Sequence, residues 1–255
     1  MRKFLISVGV AAIVSLAALG PAKAAGDAVE LKSVAWEHEG LFGTYDRAAA
    51  QRGLQVYREV CAACHGLTLV SFRTLADLGF SEDEVKAIAA EYEFTDGPDD
   101  FGDMFDRPGK ASDKFPSPFP NEQAARAGNG GAFPVDLSLV SKSRPNGDNY
   151  IYSLLTGYVD APADVTLPAG MNYNLYFAGH QIAMPPPLMD DQIEYADGTP
   201  ATVDQMAHDV AVFLSWAAEP KMEQRKEMGL KVILFLLILT VVFYAAKRKI
   251  WSDLH

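Results

Sequence analysis

The feature that most constrains this chain is the pentapeptide Cys61-Ala62-Ala63-Cys64-His65, which uses both of the cysteines found in 255 residues. Two thiols three positions apart cannot close a long loop, so they build no disulfide framework and are suited only to local chemistry. In a C-x-x-C-H segment the thiols, about one helical turn apart, can add to the two vinyl groups of a haem while the adjacent imidazole reaches the iron. The rival reading is a redox-active C-x-x-C, expected at the start of a helix early in a βαβ unit. Here Ala49, Leu54, Tyr57, Val60, Cys61 and Cys64 recur three or four apart and predict one helix over residues 46–65, with the cysteines at its C-terminal end. The pattern therefore points to one covalently attached haem c with its iron held by His65.

An electron-carrying low-spin iron needs a second axial ligand, and Met104, Met171, Met184, Met189, Met206, His180 and His208 are the candidates. Met206 recurs at helical spacing with Val210, Phe213, Leu214 and Ala217, which reads as a core stripe. Met184 stands directly before Pro185, Pro186 and Pro187, a stiff extended segment that would hold a thioether with little entropy cost on ligation. These residues favour Met184, with His180 four positions earlier as its competitor. Methionine ligation raises the reduction potential and bis-histidine ligation lowers it.

The two ends suggest export and anchoring. Arg2 and Lys3 precede an apolar run to Leu19, then Gly20, Pro21 and the small-x-small pattern Ala22-Lys23-Ala24, so residues 1–24 read as a signal peptide. Near the other end residues 232–246 carry no charge and are followed by Lys247, Arg248 and Lys249. Fifteen residues rise only about 22 Å, but with Lys231 and Lys247 snorkelling, residues 228–247 give about 30 Å, the thickness of a hydrocarbon core. The expected division is a signal peptide (1–24), a periplasmic cytochrome c domain (25–220) and a C-terminal anchor with a short cytoplasmic tail (221–255). The basic cluster places the tail on the cytoplasmic side of a bacterial inner membrane.

Residues 25–220 hold 12 basic and 30 acidic side chains, a net charge of −18. Such a body repels nucleic acid and favours a cationic partner. Ten acids lie in residues 82–106 against only Lys86; this is either solvated surface or a patch that steers a basic partner. Capping signatures at Ser81 with Glu84 and at Thr202 with Gln205 start helices, and short helices fit residues 121–127 and 148–156. Twelve of fifteen prolines fall in residues 108–200, which predicts loops around short helices. The expected fold is mainly α: a class I cytochrome c-like haem domain with long proline-rich loops and one C-terminal transmembrane helix.

Several segments in order resemble the cytochrome c1 family, the haem subunits of quinol:cytochrome c oxidoreductase. They are Arg52-Gly53-x-x-Val56-Tyr57-x-x-Val60 before the C-x-x-C-H, residues 120–127, Asp136-Leu137-Ser138, residues 150–158, Met184-Pro185-Pro186-Pro187-Leu188, residues 195–202, and Trp216-Ala217-Ala218-Glu219-Pro220 before the anchor. The resemblance implies thioether bonds to Cys61 and Cys64, His65 as proximal ligand and Met184 as distal ligand. It also implies Arg144 near a haem propionate and Tyr150 near the haem pocket. Some bacterial members carry an additional cysteine pair and an insertion before the methionine; this chain has neither and is similar to the compact mitochondrial type.

By this resemblance the chain takes one electron from a Rieske iron–sulfur protein, beside cytochrome b in a dimeric complex embedded in membrane lipid, and passes it to a soluble basic cytochrome c. It oxidises no quinol itself. Two alternatives remain open from the residues: a tethered cytochrome of another respiratory pathway, and a cofactor-free thiol oxidoreductase using Cys61 and Cys64.

Overall fold

A computed structural model describes residues 30–252, and the expected leader lies outside them. Among the described residues the chain forms six α-helices: α1 Arg47–Glu59, α2 Glu82–Ala90, α3 Glu122–Gly128, α4 Gly147–Leu155, α5 Val203–Ala218 and α6 Met222–Trp251. Two antiparallel ladders are short. β1 Glu93–Asp96 pairs with β2 Phe105–Pro108, and β3 Asn172–Tyr173 pairs with β4 Gln181–Ile182. The architecture is mainly helical, as the sequence implies.

Helix starts follow local chemistry. The Asp46 carboxylate accepts from the amides of Ala48 (2.8 Å) and Ala49 (3.1 Å) ahead of α1. Ser81 and Glu84 form a reciprocal capping box at α2, Asn121 caps α3, and Thr202 caps α5 by accepting from the Gln205 amide at 3.1 Å. The caps at Ser81 and Thr202 lie where the side-chain pattern puts them, and α3 starts one residue after the expected 121.

Helix α5 is the centre of the body. From Met206 to Ala217 every residue except His208 is buried. Its main partner is α1, which presents Ala49, Ala50, Gly53, Leu54, Val56 and Tyr57, an apolar face with helical recurrence. Close approach requires Gly53, where a Cβ would stand 2.0 Å from the Asp209 carbonyl oxygen. Below this pair, Tyr57 packs edge-on to Phe115 (5.7 Å between ring centroids), and Phe115 lies 4.3 Å from Phe72. α4 packs on another side of α5. A strap over residues 30–46 runs beside α4: the Asn149 side-chain carbonyl accepts from Trp36 Nε1 (2.9 Å) and the Val34 amide (3.0 Å).

One expectation is corrected here. The helix predicted over residues 46–65 ends at Glu59; Val60 is its C-cap, its amide still donating to the Val56 carbonyl (2.9 Å), and Cys61–Ala63 form a 3-10 turn. The amides of Cys64 (3.1 Å) and His65 (2.9 Å) both donate to the Cys61 carbonyl. The apolar period continues past Glu59, but the backbone tightens at the β-branched residue, as helix ends commonly do.

α6 spans 30 residues, about 45 Å. It is long and apolar enough to cross a membrane, with a mean hydropathy of 2.4 in its best 18-residue window, and that window is wholly unburied within the molecule.

Candidate haem site

The C-x-x-C-H turn leaves the C-terminal end of α1 and is fastened to the segment that follows α3. His65 Nδ1 lies 2.7 Å from the Val135 carbonyl oxygen. A carbonyl only accepts, so Nδ1 carries the proton and Nε2 keeps its lone pair. Burial holds the imidazole below its ordinary pKa, outweighing the Val135 hydrogen bond and the nearby Asp136 charge, so the ring is neutral at physiological pH. The turn is braced on both sides. Tyr57 Oη donates to the His65 carbonyl (3.1 Å), the Leu137 amide donates to the Gly66 carbonyl (2.9 Å), and Asp136 Oδ2 accepts from the Thr68 amide (2.9 Å) and hydroxyl (2.8 Å).

Cys61 is half-buried and Cys64 exposed. Burial, with a smaller contribution from Cys64, pushes the Cys61 thiol up to about 12. Redox-active thiols work the opposite way, with a pKa lowered by a helix N-terminus or a nearby cation. The position at the end of α1 and the raised pKa both weigh against a thiol oxidoreductase.

Met184 lies two residues beyond β4, half-buried. Its carbonyl oxygen accepts from Tyr158 Oη (3.1 Å) and Asn172 Nδ2 (3.3 Å), which fixes the backbone ahead of the three prolines. Tyr150 acts electrostatically on Tyr158, and the Arg144 guanidinium lies 6.0 Å from the Tyr150 ring centroid. Arg144 is thus paired with Tyr150, and Tyr158 with the Met184 backbone. Cys61, Cys64 and His65 form the other group, tied to residues 135–138. Arg144 is exposed, with Nη1 donating to the Ser143 carbonyl at 3.1 Å.

Of the competing ligands, Met171 is half-buried and lines a cavity of about 630 Å³ with Tyr158 and Asn172. Met206 is wholly buried in the core, while Met104 and Met189 are exposed. His208 stacks on Trp36 at 5.1 Å and contacts Asp209 at 3.4 Å. His180 stacks on Tyr173 at 5.5 Å, with Nδ1 3.2 Å from the Asn174 carbonyl.

Among the described residues no group of three or more His, Cys, Asp or Glu side chains converges. An iron here would have to bring most of its own donors, as porphyrin iron does. A neutral, oriented His65 beside two cysteines on one tight turn fits that group. Sequence reasoning did not find Val135, Tyr158 or Asn172 as supports. Tyr158 stood inside a recognised segment; Val135 acts through its backbone and leaves no side-chain signal.

Residues 36–254 match the model of the Cytochrome C1 family. The chain belongs to the cytochrome c1 family. Cytochrome c1 of Rhodospirillum rubrum is 52% identical, with 96% of each chain covered. A mitochondrial relative from Arabidopsis thaliana, named cytochrome c1 2, heme protein, is 51% identical over all of this chain and 83% of its own length. A Bradyrhizobium diazoefficiens protein named cytochrome b/c1 is 50% identical over 86% of this chain and 35% of its own length. The cytochrome c1 family implies a haem group.

Proposed function

We propose that this chain is the haem-bearing electron-transfer subunit of a cytochrome bc1 complex, beside cytochrome b and a Rieske iron–sulfur protein. It takes one electron from the Rieske protein and passes it to a soluble basic cytochrome c. The observation that carries this reading is the His65 ring, neutral and held by the Val135 carbonyl with Nε2 free, next to the only two cysteines. When bound, the haem supplies a one-electron iron couple. Cys61 and Cys64 would hold it covalently, and His65 would ligate the iron through Nε2. Met184 would supply the thioether, its loop held by Tyr158 and Asn172; Arg144 would neutralise a propionate, with Tyr150 beneath it. A cytochrome b neighbour is supported by the relative named for both proteins.

The same reading gives residues 1–24 as a cleaved leader, residues 25–220 as a periplasmic body and residues 221–255 as a single anchor in the inner membrane with a cytoplasmic tail. The same reading takes the complex as dimeric, by resemblance to the family.

The decisive experiment replaces Met184 with leucine in the assembled complex and measures the haem potential. Loss of the thioether is expected to lower it clearly; an unchanged potential removes Met184 from the ligand role. Covalent attachment is read from a haem-stained band that survives denaturing, reducing electrophoresis and disappears in Cys61→Ser/Cys64→Ser.

A further inference from the structure

The strap ends in a tight turn that pushes two apolar side chains outward. Trp36 and His38 are buried, yet Leu41 is 57% and Phe42 77% exposed. The turn is not loose. Gly40 takes φ +73°, and a Cβ on Gly43 would stand 2.0 Å from the Glu39 carbonyl oxygen, so the backbone folds back on itself there. The head of α6 holds it from below: Lys226 Nζ donates to the His38 (2.6 Å) and Gly43 (3.0 Å) carbonyls, and the Tyr45 amide donates to Glu223 Oε1 (2.8 Å).

Between this tip and the first turns of α6 lies a groove of about 290 Å³, reaching from Leu41 and Phe42 past Lys226 to Leu230. Leu230 stands two residues before the uncharged stretch 232–246, and its side chain is as exposed as those of Val232 and Ile233. The groove therefore opens onto the bare apolar surface of α6. From Lys226 to Val232 the helix rises about 9 Å, comparable to one polar interfacial layer of a bilayer, about 5–8 Å. A tip clamped at Lys226 stands at headgroup depth. Two side chains and so small a groove fall far short of the roughly 800 Å² that a stable protein partner covers on each side. They suit an interfacial contact, where Phe and Leu enter the headgroup and acyl boundary.

We propose that the Leu41–Phe42 tip is a second membrane contact of this chain, entering the interface beside α6 with the groove behind it taking part of a phospholipid acyl chain. This rests on α6 spanning the bilayer. A benzophenone-bearing residue is placed at position 42 of the full chain, in the assembled complex in its own membrane. The same probe is placed at position 237, mid-anchor, and at position 101, whose Phe101 is 92% exposed on the β1–β2 hairpin. After illumination, mass spectrometry is expected to find phospholipid adducts at 42 and 237 and none at 101. Adducts at 42 to a neighbouring subunit, or none, with lipid still found at 237, overturn the proposal and leave the anchor intact. Absence of lipid at 237 overturns the anchor and this proposal together.

Discussion

Asp209 is a carboxylate with no exposed surface, placed on the central helix. Burial alone would raise its pKa, but hydrogen bonds from His208, Arg52 and Gln205 outweigh that and hold the group below the usual carboxylate range. Arg52 is the bidentate partner, with Nε at 2.8 Å and Nη2 at 3.1 Å, and it also reaches Asp197 at 2.9 Å. Removing Arg52 strands a buried charge, so Arg52→Ala is expected to cost about 3–5 kcal/mol, read from the denaturation midpoint of the Soret band. Arg52→Lys should recover only part, because an ammonium cannot reproduce the fork. The pH sign follows from the depressed value. The unfolded carboxyl titrates near 4, so the stabilisation is present above about pH 4 and is lost as acid carries the pH down through the folded value. Asp209→Asn should flatten that acid limb while lowering stability at neutral pH. Arg52 was legible in the sequence as part of a recognised segment, but its partner 157 positions away was not, because only the fold brings them together.

At the scale of elements, the contact between α1 and α5 is set by Gly53. Gly53→Ala must push α1 off the Asp209 carbonyl, an overpacking cost of about 1–3 kcal/mol, expected as a lowered thermal midpoint with the haem spectrum unchanged below it. The starts of α2, α3 and α5 were readable because each is written in a side chain that bonds its own backbone within three residues. The end of α1 was not. Its apolar recurrence runs on through Cys61 and Cys64 although the hydrogen-bond pattern has tightened, so periodicity alone could not place the cysteines on a 3-10 turn. The supports of the candidate site were hidden for a related reason. Val135 holds His65 with its carbonyl, and Tyr158 and Asn172 donate from their side chains to the Met184 carbonyl, so in each pair the accepting residue is used through its backbone and leaves no side-chain signal.

For the whole molecule, a body charge of −18 predicts that turnover with soluble basic cytochrome c falls as salt is added; a flat response would remove electrostatic docking from the function. The run over residues 82–106 is an uneven source of that attraction. Glu84 serves its helix cap, Glu91 pairs with Arg58, and Arg107 engages Asp96 (2.5 Å) and Asp113 (2.6 Å). Neutralising Glu93, Asp100 and Asp103 together is the cleaner perturbation, expected to shallow the salt dependence without moving the unfolding midpoint.

Only three residues separate α5 from α6, and that junction is fastened repeatedly. Glu219 pairs with Lys142 and Arg225, Glu223 with Arg47, Lys226 with the strap, and Met222 is buried in the core. These ties set the orientation of the body on α6 in this structure. Under the proposed function, a haem at His65 would be carried at a fixed height above the bilayer, and the travelling in the relay would fall to the proteins that deliver and collect the charge.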